Sequence, residues 1–327
     1  MSIAPEEDGK VSEAPGSSGS KGPSSRQSSS NPDSDTPFGV AVRPAATVML
    51  VRETPSSAQN AGPYEIFMVR RSPRSEFVAG VYVFPGGAVE PSDAELERYC
   101  LDFDDAEASK RVGVESGGLA WMVAAARELF EEAGILLCRH PDGTPFDPRQ
   151  EPELAEQLSA LRLQLAHHET DFPSVLEATD LILDLRGLYW VAHWVTPKGQ
   201  PRRYDTRFFL CELPSSQQPS HEGMELTDSI WIAPKRALEL ARRGEFPMIF
   251  PTIKNLEAIA DFPDIGALMA WASTYRPSRV EPEVRIDSTG VSLSIPGREG
   301  TWRPDGSVVK DGGSDSHSSE EQDEASE

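Results

Sequence analysis

Runs of apolar residues along the chain predict a mixture of strands and helices. Residues 41–52 and 64–71 are rich in Val, Met, Ile and Phe and flank a polar loop, which is the pattern of neighbouring β-strands. A shorter apolar run at 81–84 ends at Pro85-Gly86-Gly87 and predicts a third strand that a turn terminates.

Helical periodicity is clearest at 119–133, where apolar residues recur every three or four positions before Gly134, a typical helix-terminating residue. Further helices are predicted at 152–167, 174–183, 234–243, 252–261 and 265–274. Further strands are predicted at 135–138, 188–195, 204–213 and 229–232. Strands with helices between them predict an α/β or α+β sandwich.

Composition divides the chain into a folded centre and two polar ends. Residues 1–37 are rich in Ser, Gly and Pro, and residues 301–327 are rich in acidic side chains. Neither stretch can bury enough apolar surface to offset the entropy of ordering. We therefore expect one folded domain over 38–300 between two disordered tails.

Charge and cysteine usage narrow the class of protein. The 327 residues carry a net charge of −22, which argues against binding to nucleic acid phosphates. No apolar run approaches the ~18 residues of a membrane-spanning helix, and the acidic start MSIAPEEDGK is unlike a signal peptide. The three cysteines form no CxxC pair, which favours free thiols. We expect a cytoplasmic protein that binds neither nucleic acid nor a membrane.

The chemically distinctive segment is the C-terminal half of the predicted helix at 119–133. Glu128, Glu131 and Glu132 fall on one face, where like charges repel. A hard divalent cation such as Mg²⁺ or Mn²⁺ would relieve that repulsion and keep waters for substrate phosphates. Arg127 lies on a neighbouring arc, from which it can orient carboxylates by hydrogen bonds. The alternative interpretation is a solvated acidic surface.

The sequence of residues 127–135, Arg-Glu-Leu-Phe-Glu-Glu-Ala-Gly-Ile, resembles the second half of the Nudix box. Phe84-Pro85-Gly86-Gly87 resembles the strand end that opens the box. The resemblance implies a Nudix α/β/α sandwich with a mixed central sheet, extended here by inserted helices. It also implies Mg²⁺- or Mn²⁺-dependent cleavage of a nucleoside diphosphate linked to another moiety. The three glutamates would be metal ligands and Arg127 would orient them.

The catalytic base and the close contacts to substrate are narrower expectations. Glu128 is the first choice for the base, and Glu225, which precedes a predicted strand, is the second. Gly86 and Gly87 are expected beside the substrate, because a backbone without side chains can approach a ligand closely.

The first half of the box departs from the family pattern. Its glutamate should lie six residues after the glycine and eight before the arginine, but these counts lead to Asp93 and Leu119. An acidic insertion at about 90–118 separates the two positions. Asp93 and Glu115 are candidates to replace the missing glutamate, with ordinary surface positions as the alternative. A second, helical insertion at about 149–183 is expected to cover the substrate groove or a homodimer contact.

A narrower resemblance runs through residues 70–87, which are similar to the signature of coenzyme A–linked Nudix enzymes. Arg71, Ser72 and Gly80 match in register, whereas Glu76 stands where the signature has a second arginine. The resemblance to the coenzyme A diphosphatase branch extends over about 40–300. It implies that coenzyme A or an acyl-coenzyme A is the substrate and that Arg71 and Ser72 contact it.

Other substrates and another class of function stay open. An ADP-sugar or a dinucleotide is the alternative substrate, and a non-catalytic nucleotide-sensing module is the alternative of another class. Arg203 and Arg207 lie in a basic cluster of an acidic protein, so they are candidates for binding substrate phosphates. An ion pair with a residue such as Asp205 is the alternative for them.

Overall fold

The computed structural model describes residues 40–56, 62–72, 80–219, 226–288 and 290–309. Glu76 and Glu225 lie outside these residues, as do nearly all of the two predicted tails. The predictions that concern them stay predictions. In the described part of the chain, no helix has the length and apolarity needed to cross a membrane.

Strands and helices alternate along the described chain. The strands are β1 (Val42–Glu53), β2 (Tyr64–Arg71), β3 (Tyr82–Val83), β4 (Gly86–Ala88), β5 (Cys138–Arg139), β6 (Ile182–Leu183), β7 (Tyr189–Val195), β8 (Arg203–Glu212), β9 (Leu226–Ile232), β10 (Arg279–Val280), β11 (Glu283–Asp287), β12 (Gly290–Ser294) and β13 (Thr301–Trp302). The α-helices are α1 (Asp105–Val112), α2 (Gly118–Ala133), α3 (Pro152–Ala166), α4 (Phe172–Thr179), α5 (Pro234–Arg242), α6 (Phe250–Ile259) and α7 (Ile265–Thr274).

A mixed eight-stranded sheet forms the centre of the domain. Its order is β10-β7-β8-β1-β2-β3, with β4 also on β1 and β9 also on β2. Strand β1 runs parallel to β8 and antiparallel to β2. The short strand β4 pairs with β1 at Ala45, Ala46 and Thr47, ahead of the part of β1 that pairs with β2. This pairing fixes Gly86 and Gly87 next to the middle of the sheet.

Both faces of the sheet are covered by helices. Along β1, Val48 and Leu50 belong to the core that contains α1 to α4, whereas Met49 and Val51 belong to the core that contains α5 to α7. A strand buried on both faces explains why the sequence shows a continuous apolar run there instead of alternation. The predicted α/β/α sandwich with a mixed sheet and inserted helices is therefore confirmed.

The local predictions differ from the structure in two segments. The strand predicted at 135–138 begins only at β5, and the helix predicted at 174–183 is α4 followed by β6. Helix α4 starts earlier because the Asp171 side chain accepts a hydrogen bond from the Ser174 N–H, and it ends at Asp180, whose φ of 50° is left-handed.

The domain also continues past the boundary predicted at residue 300. Strand β13 pairs with β12 in a separate three-stranded sheet, β11-β12-β13. The ring of Trp302 lies 5.9 Å from that of Phe250. The first residues of the predicted acidic tail therefore belong to the folded domain.

Candidate active site

Helix α2, which carries the glutamates, is held at both ends by side chains from the insertions. At its start, the Asp105 carboxylate accepts hydrogen bonds from the N–H groups of Gly117 at 2.8 Å and Leu119 at 2.9 Å. At its end, Arg162 on α3 donates to the Glu131 carbonyl at 2.9 Å. These contacts satisfy backbone groups that a helix leaves without partners at its termini, and each charge has the favourable sign for its end.

The glycine pair brings β4 directly against the glutamates. The Gly86 N–H donates to Glu132 Oε2 at 3.0 Å. A Cβ atom on Gly87 would lie 2.4 Å from Glu128 Oε1, so the carboxylate occupies the space that a side chain would need. Gly86 and Gly87 therefore lie directly against the glutamates of α2, and their contact with the substrate stays a prediction.

Arg127 is the centre of the carboxylate cluster. Its Nη1 donates to Glu128 Oε1 at 2.9 Å and to Glu131 Oε1 at 3.0 Å, and its Nη2 donates to the Ala88 carbonyl at 2.9 Å. Nε and Nη2 bind the two oxygens of Asp93 at 2.9 and 3.1 Å. The planar fork thus fixes three carboxylates and β4 relative to one another.

Asp93 takes the position that the sequence left uncertain. It is buried, with 1% of its surface exposed, and it forms a two-pronged ion pair with Arg127. The surface-loop interpretation is therefore wrong for Asp93, whereas Glu115 is exposed. Asp93 lies six residues after Gly87, which is the position where the box has its first glutamate. The first half of the box therefore keeps its spacing, and the extra residues come after it.

The electrostatics of the cluster show an excess of negative charge. Burial, the largest cause, raises the pKa of Glu128 to about 8 and that of Glu132 to about 7. Burial also raises the pKa of Glu131. The hydrogen bond from Gly86 and the charge of Arg71 act in the opposite direction on Glu132 without cancelling the effect. These three part-buried carboxylates, of which only Glu128 and Glu131 bind Arg127, therefore hold protons tightly unless another cation compensates them.

The donor set fits a hard divalent cation that water and substrate complete. Within the described ranges, no three or more Asp, Glu, His or Cys side chains are arranged so that they could hold a metal by themselves. Arg127 binds one oxygen each of Glu128 and Glu131, and the Gly86 N–H binds one oxygen of Glu132. Carboxylate oxygens are nevertheless the donors that Mg²⁺ and Mn²⁺ prefer, and Mg²⁺ usually keeps several waters.

Among the predicted substrate residues, Arg71 lies on the carboxylate side of the sheet. It ends β2, and its positive charge lowers the pKa of Glu132. Ser72 follows it directly, at the edge of residues that the structure does not describe. Their role in binding coenzyme A remains a prediction.

Among the described residues, the partners of Arg203 and Arg207 are not the glutamates of α2. Arg203 donates to the Thr196 carbonyl and to Glu281 Oε1, at 3.1 and 2.7 Å. Arg207 lies under α2, with its guanidinium carbon 3.9 Å from the ring centre of Trp121, and its Nη1 is 3.5 Å from Asp205 Oδ1. The ion-pair alternative therefore describes both residues in this structure, and their binding of phosphate is untested.

Sequence reasoning missed Arg162. It lies in the helical insertion, 31 residues after the Glu131 carbonyl that it binds, and no motif links the two. Its charge also lowers the pKa of Glu132. The only signal in the sequence was a lone arginine among leucines, which does not reveal its partner.

Comparisons with known proteins agree with this geometry. A family model described as the NUDT19 Nudix domain matches residues 114–259. The acyl-coenzyme A diphosphatase NUDT19 of Gallus gallus is 28% identical over 274 residues, which is 71% of each chain. The protein of the same name from Homo sapiens is 26% identical over 280 residues, covering 75% of this chain and 74% of that protein.

A solved structure is also similar to this chain. The crystal structure of a Nudix hydrolase from Alicyclobacillus acidocaldarius is 31% identical, covers 71% of this chain and 96% of its own, and superposes with a TM-score of 0.55. Since that match spans nearly the whole of a solved Nudix hydrolase and the glutamates of the box are assembled around Arg127, the chain belongs to the Nudix hydrolase family.

Proposed function

We propose that this Nudix pyrophosphohydrolase cleaves the diphosphate of coenzyme A or of an acyl-coenzyme A, with Mg²⁺ or Mn²⁺ bound at the glutamates of α2. The observation that carries the proposal is the arrangement around Arg127, which gathers Asp93, Glu128 and Glu131 against β4. The names of the relatives from chicken and human support coenzyme A derivatives as the substrate class. The match of Arg71 and Ser72 to the coenzyme A signature supports the same class.

The residues of the site would have different roles in diphosphate hydrolysis. Glu128, Glu131 and Glu132 would hold the cation, which supplies charge neutralisation for the diphosphate and lowers the pKa of a water. Arg127 keeps Glu128 and Glu131 in place by hydrogen bonds from one nitrogen. Arg71 would bind a substrate phosphate from the end of β2.

Glu128 is the proposed base that accepts the proton of the attacking water. Its side chain belongs to the cluster that Arg127 assembles, and burial raises the pKa of its carboxyl above the usual range, so it holds a proton more readily than an exposed glutamate. The carboxylate packs directly against Gly87, where a Cβ atom would leave it no room. Glu225 remains the second choice.

The catalytic assignment is favoured over a sensing module for a physical reason. The sensing hypothesis depended on a lost carboxylate in the first half of the box, and Asp93 supplies that carboxylate to Arg127. A module that only binds nucleotide has no need to bury three further carboxylates beside it.

The direct test is a substrate panel with purified full-length protein. Coenzyme A, an acyl-coenzyme A, an ADP-sugar and a dinucleoside polyphosphate are compared at equal concentration with Mg²⁺, with Mn²⁺ and with excess chelator. We expect 3′,5′-ADP and a phosphopantetheine product from the first two compounds only, and no product with chelator. Turnover of another compound without cleavage of coenzyme A would reject the substrate assignment, and tight binding without any product would favour sensing.

Cellular setting and assembly are part of the same proposal. We propose a cytoplasmic enzyme whose ligand is a small nucleoside diphosphate derivative and not a nucleic acid or a membrane. Cys100, Cys138 and Cys211 are free thiols, which supports a reducing compartment. Cell fractionation tests the location, and light scattering tests whether the protein is a homodimer.

A further inference from the structure

A cavity of about 240 Å³ lies beside the C-terminal end of α2, between that helix and α3 of the helical insertion. Its lining includes Phe130, Leu136, Phe146, Leu158, Leu163 and Gln217. Leu163 is 39% exposed, which is unusual for a leucine that faces a concave apolar wall. The helical insertion therefore forms one wall of a small cavity that is lined by both apolar and polar side chains.

Two polar side chains of the lining bind the protein backbone, whereas Gln218 is exposed. Gln217 accepts a hydrogen bond from the Leu136 N–H and donates to the Leu136 carbonyl, at 3.0 and 2.8 Å. Arg162 donates from Nε to the carbonyl of Glu131. With these groups engaged, much of the surface that the cavity offers a ligand is hydrocarbon, and burying a hydrocarbon ligand there is favourable.

The cavity begins at the last turn of α2, around the helix from the face that carries Glu128 and Glu132. Phe130 and Gly134 line it from the same turn of α2 that carries Glu131 and Glu132. Arg162 spans the two places, since it lines the cavity and its charge acts on Glu132. A substrate whose diphosphate lies on the glutamates could therefore extend an attached chain around the end of α2.

We propose that this cavity binds the acyl chain of an acyl-coenzyme A, an inference that rests on the proposed function. Sites for whole drug-sized ligands usually enclose ~300–1,000 Å³, so a cavity of about 240 Å³ suits part of a substrate better than a nucleotide. The acyl group is the apolar part of this substrate and lies at the end of the pantetheine arm, away from the diphosphate. The helical insertion thereby determines which acyl-coenzyme A is cleaved best.

The test compares free coenzyme A with acyl-coenzyme A compounds of increasing chain length, using the full-length protein. For the wild type, kcat/KM rises with chain length by up to about fourfold per buried methylene and then levels off when the cavity is full. Ser159→Trp, on the exposed rim of the cavity, is expected to lower kcat/KM for the longest acyl chain at least tenfold and to leave free coenzyme A within twofold.

Ala160→Trp is the matched control, because Ala160 is the exposed neighbour of Ser159 on α3 and does not line the cavity. We expect it to behave like the wild type with every substrate. Cleavage of coenzyme A without any dependence on chain length, or equal losses for both substrates in Ser159→Trp, would overturn this inference alone. Absence of cleavage of all coenzyme A compounds by the wild type would overturn the proposed function and this inference together.

Discussion

Two buried arginines, Arg127 in α2 and Arg207 beside α2, have different kinds of partner. Arg127 directs its hydrogen bonds to Asp93, Glu128, Glu131 and a backbone carbonyl. Arg207 lies on the rings of Trp121 and Trp190, and among the described residues its buried Nε and Nη1 make no hydrogen bond. Both side chains are at least nine-tenths buried, so burial does not distinguish them.

The pKa of each guanidinium follows from these partners. Burial lowers the pKa of Arg207, and the nearby Asp205 only partly opposes it. Burial acts in the same direction on Arg127, but the hydrogen bonds that it donates to Asp93 and the charges of the glutamates raise its pKa overall. The comparison teaches that carboxylate partners, and not depth, make Arg127 the organiser of the site. Four experiments test this difference between Arg127 and Arg207.

The largest effect is expected at the glutamates that Arg127 orients. Glu128→Gln removes the proposed base and one anionic ligand, so kcat should fall by about 10²–10⁴-fold. Initial rates with coenzyme A and saturating Mg²⁺ measure the loss. Glu115→Gln, the same change at an exposed position, should stay within twofold of the wild type. A Glu128→Gln enzyme with more than about a tenth of wild-type kcat would exclude this role.

Arg127→Met should cause the largest loss of stability. Removing the guanidinium leaves the buried Asp93 carboxylate without its ion pair, which typically costs about 3–5 kcal/mol of unfolding free energy. Urea denaturation followed by circular dichroism measures the change. The control is Arg149→Met, which breaks an exposed pair with Asp147 and should cost less than about 1 kcal/mol. Equal losses in the two variants would contradict the central position of Arg127.

The two glycines of β4 should separate stability from activity. A Cβ on Gly86 would lie 2.5 Å from the Ala46 carbonyl oxygen, so Gly86→Ala strains the β1–β4 pairing and should cost about 1–3 kcal/mol. A Cβ on Gly87 meets the movable carboxylate of Glu128 instead, so Gly87→Ala should lower kcat about tenfold with a smaller change in stability. Thermal unfolding and initial rates on both variants test this division. A Gly87→Ala enzyme with wild-type kcat would argue against a fixed Glu128.

Arg207→Met should have the smallest effect on stability. Methionine keeps contact with the indole rings, and the change removes two buried donors that lack hydrogen bonds, which offsets the lost cation–π attraction. We expect the unfolding free energy to stay within about 1 kcal/mol of wild type. Steady-state kinetics on the same variant test the predicted phosphate contact, because loss of that contact would raise KM for coenzyme A. A loss of stability as large as that of Arg127→Met would refute the contrast drawn here.

The sequence predicted those features that depend on local pattern. The bounds of β2 and α7 agree with the apolar runs that predicted them, and Gly134 ends α2 in a left-handed conformation. Glu128, Glu131 and Arg127 were recognisable because their spacing places them on adjoining arcs of one helix.

Features that depend on distant residues were beyond such reasoning. Asp93 and Arg127 are 34 residues apart, and only the folded insertion shows that they pair. The split of residues 174–183 into α4 and β6 depends on pairing of β6 with β5, which a helical pattern does not reveal. The contact of Arg162 with α2 likewise requires the packing of α3, since neither chain segment alone indicates it.

The anchoring of α2 has a practical consequence for anyone who wishes to engineer a smaller enzyme. Asp105 and Arg162 both come from segments that extend the common architecture, yet they bind the first and last turns of the helix that bears Glu128, Glu131 and Glu132. Trimming those segments to obtain a minimal version would free both ends at once. The segments that contain Asp105 and Arg162 therefore support α2, and a smaller redesigned enzyme must replace the contacts that they make.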